Sequence, residues 1–418
     1  MKTARRFVPP TPPHGRFQLP DAPRRPGERP DFSALKLQPA GAANKPAIDV
    51  DPMDIHDLAF GLIRVLDDEG QAVGPWAAKL SVDTLRQGLR LMTLLRIYDE
   101  RMNALQRQGK LSFYMKAAGE EAVAIAQTMA LRASDMIFPS YRQQGALIAR
   151  GRELVDMMCH CLSNARDNLK GRQLPIHYSW KEGNFFGVSG NVATQFCQAV
   201  GWAMAAAYKD TDDVAISWLG DGSSATLDFH HAMTFAANYN APVILNVVNN
   251  QWAISSHQNI AGGARTTFAA RAIGYGIPGL RVDGNDFLAL YAATEWAAAR
   301  ARAGHGPTLI EAFTYRAGDH STSDDASRYR PKDEAAAWPL GDPLKRLKDH
   351  LIGRGAWSEE DHLRLESELK ESVAKAYKEA ISYGTLHEGP WSPVKTMFED
   401  VYEDMPRHLR RQRQAHGV

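Results

Sequence analysis

The residues best placed to do chemistry lie at the ends of two apolar stretches. The first stretch, residues 214–219, runs directly into a Gly-Asp-Gly turn centred on Asp221, and 26 residues separate that turn from Asn249-Asn250 at the end of the second stretch. In a right-handed βαβ unit both strands end at the same edge of the sheet, so Asp221 and Asn250 are predicted to lie close together. Carboxylate and amide oxygens are hard ligands that suit Mg²⁺. The spacing therefore predicts a magnesium site at this edge.

The same turn suits a phosphate group. Gly220 and Gly222 flank Asp221, and neither has a side chain that would keep a diphosphate away from the backbone. The helix predicted to follow the turn presents its N-terminus, which attracts anions. Mg²⁺ also keeps open coordination positions for phosphate oxygens. A Gly-Asp-Gly sequence alone is a common turn. In this chain its spacing from Asn249-Asn250 makes the pattern specific for a cofactor site.

The elements that position these residues are predicted from the hydrophobic pattern. Helical and β-branched stretches alternate from about residue 110 to 320, which is typical of βαβ units around a parallel sheet. The predicted strands cover residues 214–219, 243–248, 280–282 and 308–313, with helices at about 224–239 and 286–303 between them. Ser81 and Ser358 cap longer helices that reach about residues 108 and 381. We expect an α/β fold, with a mostly parallel sheet flanked by helices.

The two ends of the chain differ from this central part. Residues 1–50 hold ten of the 23 prolines, which predicts an extended arm that is either a loose tail or a wrap around a partner subunit. We expect an α/β domain at 51–340, beginning with a small hairpin at 62–70, and a helical region at 341–418. Residues 192–208 are rich in Ala and Gly, which indicates a tight subunit interface or an internal helix pair.

Composition excludes several classes of protein. The 49 basic and 48 acidic residues leave a formal charge of +1, so no bulk field favours nucleic acid or an anionic membrane. No apolar run approaches the length of a membrane span, and the basic N-terminus lacks an apolar signal core. The three cysteines form no disulfide framework, and Cys159-His160-Cys161 lies in an apolar run that favours buried packing over metal binding. These features predict a bacterial cytoplasmic protein.

The Gly-Asp-Gly and Asn-Asn pattern resembles the thiamin diphosphate motif. The glycine fingerprint of nicotinamide sites, Gly-x-Gly-x-x-Gly, does not follow the strand at 214–219, which disfavours an NAD-dependent dehydrogenase. The resemblance implies a thiamin diphosphate-binding fold with Mg²⁺ as the second cofactor.

Four further segments, within about residues 80–340, narrow the resemblance. Residues 118–122 (AGEEA) and 138–145 (FPSYRQQG) look like segments of the α subunits of 2-oxo acid dehydrogenase E1 components. Residues 171–178 (GRQLPIHY) and 315–325 (YRAGDHSTSDD) look like the branched-chain members, whereas pyruvate enzymes usually carry Gly-Gly-Ser-x-His and His-Ser-x-Ser-Asp-Pro there. The resemblance implies 3-methyl-2-oxobutanoate dehydrogenase (2-methylpropanoyl-transferring) activity.

The resemblance also assigns site residues. Asp221, Asn250 and the carbonyl of Trp252 would hold Mg²⁺, and Val192 would lie beside the aminopyrimidine. The diphosphate ligands would be Tyr141, Arg142 and His320, and a structural potassium site of some relatives matches Ser189, Asn191, Thr194 and Gln195. Two positions depart from the branched-chain pattern, which often has Gln before Tyr-Arg and Arg before Asn-Asn. Ser140 and Val248 stand there, and fewer diphosphate donors would weaken cofactor binding.

The expected mechanism needs a partner chain. Decarboxylation of a 2-oxo acid leaves a carbanion that only the thiazolium can stabilise. The family places the glutamate that activates the aminopyrimidine on a second module, and this chain shows none, which implies a β subunit in an α2β2 assembly. The acyl group would pass to a lipoyl group on an E2 transacylase, with His320, cationic or neutral, donating a proton. Ser321, Arg316 and Asp324 are expected at the mouth of the substrate channel, and His177 lies in the active site or in the core.

Three alternatives remain at this stage. Pyruvate and acetoin dehydrogenase E1 α subunits differ from the branched-chain type only in pocket detail. A nicotinamide-dependent dehydrogenase lacks its fingerprint here. A noncatalytic interaction subunit would be expected to lose Asp221, Asn250 or His320, and all three are present.

Overall fold

A computed structural model describes residue 20 and residues 22–418. Its centre is a five-stranded sheet in which every pairing is parallel, in the order β1-β2-β3-β7-β6. The strands are β1 (Met136–Phe138), β2 (Ala215–Gly220), β3 (Val243–Asn249), β6 (Gly279–Asp283) and β7 (Thr308–Phe313). A separate antiparallel pair consists of β4 (Trp252–Ala253) and β5 (Ser256–His257).

The described residues also form ten α-helices. Those before β2 are α1 (Val82–Arg107), α2 (Glu121–Met129), α3 (Gln144–Ala149), α4 (Leu154–Leu162) and α5 (Thr194–Tyr208). Those after it are α6 (Leu227–Asn238), α7 (Phe287–Arg302), α8 (Pro343–Gly353), α9 (Glu359–Ile381) and α10 (Arg407–Ala415). The predicted fold class, an α/β fold with a mostly parallel sheet, is confirmed.

The predicted strands match β2, β3, β6 and β7 to within one residue at each end, because nearly all of their residues are buried in the parallel sheet. The strand β6 is the least apolar of the four, and its Arg281 is only partly buried. The sequence analysis missed β1, which has only three residues and no β-branched run beyond Ile137. The predicted caps are present: the Ser81 hydroxyl accepts the Thr84 N–H, and the Ser358 hydroxyl accepts the Asp361 N–H, each at 3.0 Å.

The register of β2 and β3 positions the candidate site. Gly220 pairs with Val248, and the N–H of Asp221 donates to the Val248 carbonyl at 3.2 Å. The chain crosses between the two strands through α6, so both strands end at the same edge. The Gly-Asp-Gly turn and the Asn-Asn pair are therefore neighbours across adjacent strands.

The hairpin predicted at 62–70 is reduced to one bridge, between Leu66 and Ala72. Ile63 instead forms a parallel bridge with Val282 of β6, and the Ile63 N–H donates to the Arg281 carbonyl at 2.8 Å. The stretch departs from the prediction because the open edge of β6 offers backbone partners that a short hairpin lacks.

Part of the proline-rich arm, residues 1–19 and 21, lies outside the described residues. The described part, up to residue 50, has no helix or strand and lies on the body of this same chain. The indoles of Trp76 and Trp296 donate to the carbonyls of Asn44 and Pro46 at 3.0 and 2.9 Å, and Phe32 contacts Trp338 edge to face. This packing disfavours a loose tail for the described part of the arm, and the wrap around a partner subunit stays a prediction.

The C-terminal helices share the main core. Leu347 of α8 and Val373 of α9 are buried in the same apolar cluster as Leu89 and Leu95 of α1. The domain divisions near residues 50 and 340 stay predictions. No helix in the described part of the chain is long and apolar enough to span a bilayer.

Candidate active site

Asp221 is buried at the end of β2, where its side chain is only half satisfied. The residue is 1% exposed, and its Oδ1 accepts the Gly222 N–H at 2.8 Å, whereas its Oδ2 is buried with no hydrogen-bond partner. Burial raises the pKa of Asp221 to about 7, against the opposing effects of the Gly222 N–H and the Arg316 charge. A buried acceptor without a partner is costly, and a bound cation would satisfy it.

Asn250 lies at the end of β3 and is 7% exposed. Its Nδ2 donates to Oε1 of Glu120 at 2.8 Å, and its Oδ1 accepts the Trp252 N–H at 3.3 Å. Between Asn250 and Trp252 the chain turns at Gln251, whose φ of 74° lies in the left-handed region. The carbonyl of Trp252 accepts from Arg316 at 2.7 Å, and its second lone pair is compatible with a metal.

These donors suit a hard cation. A buried carboxylate oxygen without a partner, an amide oxygen and a backbone carbonyl come from the ends of two adjacent strands. No group of three or more His, Cys, Asp or Glu side chains converges among the described residues, and at this site only Asp221 brings a charged ligand. The Cys159-His160-Cys161 segment is buried packing, in which His160 contacts Asp167 and the Leu174 carbonyl at 3.1 Å each.

Arg142 lies beside this group and is 4% exposed. Its guanidinium donates to the carbonyls of Lys116 and His320, the latter at 3.0 Å, and its Nε lies 3.6 Å from Oε1 of Glu120. Tyr141 contacts the His320 ring edge to face at a centroid distance of 5.8 Å. The structure thus brings together all three residues that the resemblance assigns to the diphosphate.

His320 is held between two guanidinium groups. Its Nδ1 lies 3.3 Å from Nη2 of Arg142 and 3.3 Å from Nη1 of Arg316. Burial, reinforced by these two cations, lowers the pKa of His320 to about 3. Of the two protonation states left open by the sequence, this environment favours the neutral one. Because two donors face Nδ1, the ring proton belongs on Nε2.

The loop that follows is fixed by its own side chains. Oδ2 of Asp324 accepts the His320 N–H at 2.7 Å and the Tyr329 hydroxyl at 2.6 Å. Burial acts to raise the pKa of Asp324, but these hydrogen bonds outweigh it and hold that pKa below its usual value.

Ser321 is 9% exposed, and its hydroxyl accepts the Ser323 N–H at 3.2 Å. The side chain is nearly buried because the neighbouring Thr322 is tied to Tyr114 by two hydrogen bonds of 3.0 Å, which draw the loop inward. The place of Ser321 at the mouth of the substrate channel stays a prediction.

A cleft of about 420 Å³ opens above these residues. Its lining includes Tyr141, Val192, Gly222, Ala253 and His320. Val192 is 44% exposed there, and a Cβ added to Gly222 would lie 2.4 Å from the Cβ of Ala253. The turn after β2 therefore requires glycine at position 222, which keeps the backbone accessible from the cleft.

The four residues matched to a potassium site lie on one loop and the start of α5. The Thr194 hydroxyl lies 2.8 Å from the Ser189 hydroxyl and 2.9 Å from the Asn191 carbonyl, and it donates its one proton within this pair. Nε2 of Gln195 donates to the Trp218 carbonyl at 2.7 Å, and its Oε1 is buried without a partner. His177 packs against Gly190 of this loop and is absent from the cleft lining.

The sequence analysis missed Glu120 as a site residue. It lies within AGEEA, which was used only for the resemblance, and its contact with Asn250 joins residues 130 positions apart. An acidic pair before a helix otherwise indicates a solvated N-terminus, so the sequence carried no separate signal.

Comparisons with known proteins agree with this geometry. The model of the family "dehydrogenase E1 component" matches residues 89–388, and that of "2-oxoisovalerate dehydrogenase E1 alpha subunit N terminal" matches residues 13–53. The chain is 59% identical to the 2-oxoisovalerate dehydrogenase subunit alpha of Pseudomonas aeruginosa, over 96% of this chain and 98% of that protein. The mitochondrial subunit alpha of Mus musculus is 40% identical, over 85% of this chain and 79% of the relative. The mitochondrial 2-oxoisovalerate dehydrogenase subunit alpha 2 of Arabidopsis thaliana is also 40% identical, over 84% of this chain and 73% of that protein.

Proposed function

The chain belongs to the dehydrogenase E1 component family, and on this premise we propose that it acts as the α subunit in the thiamin diphosphate-dependent oxidative decarboxylation of branched-chain 2-oxo acids. The observation that carries the substrate class is the identity with a 2-oxoisovalerate dehydrogenase subunit alpha over 96% of the chain. The N-terminal match at residues 13–53 supports the same type. The domain organisation of a 1–50 arm, a 51–340 α/β domain and a 341–418 helical region belongs to the same proposal.

The cofactor site is the edge where β2 and β3 end. Asp221, Asn250 and the carbonyl of Trp252 would hold Mg²⁺, because Asp221 offers a buried oxygen without a partner. Arg142 would bind the diphosphate with Tyr141 beside it. When bound, thiamin diphosphate supplies the electron sink that decarboxylation requires. The loop of Ser189, Asn191, Thr194 and Gln195 would hold K⁺.

The residues of this chain control orientation and protons. Arg316 fixes the His320 ring through Nδ1 and is itself held by the carbonyls of Trp252 and Ile254, at 2.7 and 3.0 Å. His320 lines the cleft, and the Nε2–H of its neutral ring would donate a proton to the substrate carboxylate or during the acyl transfer. Val192, exposed in the cleft, would contact the aminopyrimidine.

The site is one half of an active site. We propose that a β subunit completes it in an α2β2 heterotetramer, and that a lipoyl-bearing E2 transacylase accepts the acyl group. Of the two alternatives for residues 192–208, the internal helix pair is present, since α5 packs against α6, and we propose that the α5 surface around Gly201, where a Cβ would meet nothing within 4 Å, also contacts another subunit. We place the protein in the bacterial cytoplasm because its cysteines are free, which cell fractionation would check.

Substrate choice tests the proposal. The chain, co-purified with its β subunit, should reduce an artificial electron acceptor with 3-methyl-2-oxobutanoate at a higher kcat/KM than with pyruvate. Each extra methylene in an apolar pocket gives roughly a 10- to 200-fold preference. Equal or better use of pyruvate would favour the alternative, a pyruvate or acetoin dehydrogenase α subunit. Loss of turnover without added thiamin diphosphate and Mg²⁺ is the matched cofactor control.

A further inference from the structure

Glu120 joins the two halves of the cofactor site. Its side chain is 4% exposed at the start of α2, and one carboxylate oxygen, Oε1, accepts from Asn250 at 2.8 Å and lies 3.6 Å from Nε of Arg142. The expected metal ligands and the expected diphosphate ligand thus share one buried anion. None of the roles assigned so far uses it.

The carboxylate decides which way the Asn250 amide faces. An ionised carboxylate only accepts hydrogen bonds, so the amide nitrogen of Asn250 must face it. The Trp252 N–H, at 3.3 Å from Oδ1, requires the same orientation from the other side. Turning the amide by half a rotation would place oxygen against oxygen at Glu120 and nitrogen against nitrogen at Trp252. The metal edge therefore receives an amide oxygen.

The same carboxylate limits the position of Arg142. The terminal nitrogens of that guanidinium are engaged by the carbonyls of Lys116 and His320, and its Nε side faces Glu120. A guanidinium contacted on both edges is restricted to one plane, because its donors form a rigid fork.

We propose that Glu120 is a positioning residue, which fixes the Asn250 amide for Mg²⁺ and the Arg142 guanidinium for the diphosphate. This inference rests on the proposed function, since it concerns the same cofactor site. Glu120 does not itself touch the cofactors in this assignment and acts through Asn250 and Arg142.

The test is the Mg²⁺ dependence of thiamin diphosphate binding to the chain co-purified with its β subunit. Glu120→Gln keeps the size of the side chain but removes its charge, and its amide can present either an acceptor oxygen or a donor nitrogen to Asn250. The Mg²⁺ concentration that half-saturates thiamin diphosphate binding, measured by calorimetry, should rise roughly 10- to 100-fold, as for loss of a hydrogen bond to a charged group. If Glu120→Gln does not fold, Glu120→Asp replaces it in the test. The Mg²⁺ requirement should rise in this variant too, because the shorter side chain keeps the charge but withdraws it from Asn250.

Glu121→Gln is the matched control. Glu121 is the adjacent residue and equally buried, but its carboxylate pairs with Arg96 of α1 at 2.7 Å. The Glu121→Gln variant should have a lower melting temperature and an unchanged Mg²⁺ requirement. In an Asn250→Ala background, Glu120→Gln should change the requirement less than about threefold, because its main partner is gone.

Different results would contradict the positioning role of Glu120 and the proposed function. An unchanged Mg²⁺ requirement in Glu120→Gln, an equal rise in Glu121→Gln, or a full effect in the Asn250→Ala background would overturn the positioning role. Failure of the wild-type complex to bind thiamin diphosphate at any Mg²⁺ concentration would overturn the proposed function itself, and the positioning role with it.

Discussion

Replacing Asp221 by Asn should make the cofactor-free protein more stable and its cofactor binding much weaker. The variant keeps Oδ1, which accepts the Gly222 N–H at 2.8 Å, and removes the charge on a side chain whose Oδ2 has no partner. The Nδ2 that replaces Oδ2 also lacks a partner, but a buried neutral group costs less to desolvate than a buried charge, so the free energy of unfolding should rise by at least about 1 kcal/mol at pH 8. These opposite effects are expected of a residue kept for a ligand rather than for the fold.

The loss of cofactor affinity in Asp221→Asn follows from the Coulomb energy between the carboxylate and the metal ion. Two unit charges about 4 Å apart at an effective dielectric of about 20 interact with roughly 4 kcal/mol, which corresponds to about a 1,000-fold change in binding. Removing one unit of charge beside a divalent cation should therefore weaken Mg²⁺-dependent thiamin diphosphate binding at least that much. Asn250→Ala is the control, because it removes a neutral ligand and should cost less.

Two measurements check this prediction on the co-purified complex. Chemical denaturation without cofactors reports stability, and calorimetry with thiamin diphosphate and Mg²⁺ reports affinity. A variant that loses stability and keeps its affinity would refute the reasoning, since Asp221 would then be a structural cap rather than a metal ligand.

Three further predictions concern the loop and the partner. Ser321→Glu should abolish decarboxylation, because a carboxylate beside the Arg316 and His320 pair would repel the substrate carboxylate; near-normal kcat and KM would place the loop away from the channel. The folded pKa of His320, about 3, lies below its ordinary value of 6.5, so its contribution to stability is complete above about pH 6.5 and is lost as pH falls towards 3. The difference in unfolding free energy between wild type and His320→Asn should accordingly rise with pH by at most about 1.4 kcal/mol per pH unit across that window, and a flat difference would contradict the neutral assignment. The isolated chain should show no decarboxylation until a β subunit is co-expressed, and turnover by the isolated chain would refute the shared site.

The metal edge could be predicted from the sequence because it depends on topology alone. Two buried strands joined by one helix must end at the same edge, so the meeting of Asp221 with Asn250 follows from their positions after those strands. The same logic located four of the five strands of the main sheet.

What the sequence did not reveal depends on contacts between distant segments. Glu120 meets Asn250 across 130 positions, and Arg142 meets His320 across 178. The protonation state of His320 follows from those neighbours and from burial, neither of which periodicity encodes. The strand β1 was missed because three residues are too few to show a period.

The electrostatics of the cleft follow from how its two arginines are satisfied. Arg142 faces the carboxylate of Glu120 at 3.6 Å, so part of its charge is compensated inside the protein. Arg316, 1% exposed, donates instead to the carbonyls of Trp252, Ile254 and Gly318 and to the Tyr329 hydroxyl, and it contacts His320. Carbonyl and hydroxyl dipoles satisfy the donors of a guanidinium without cancelling its charge. The neutral His320 ring contributes no charge of its own. The carboxylates of Asp221, Glu120 and Asp324 also interact with Arg316 and compensate part of its charge, so a cation bound at Asp221 would leave more of the positive field of Arg316 for an anionic cofactor or a 2-oxo acid carboxylate.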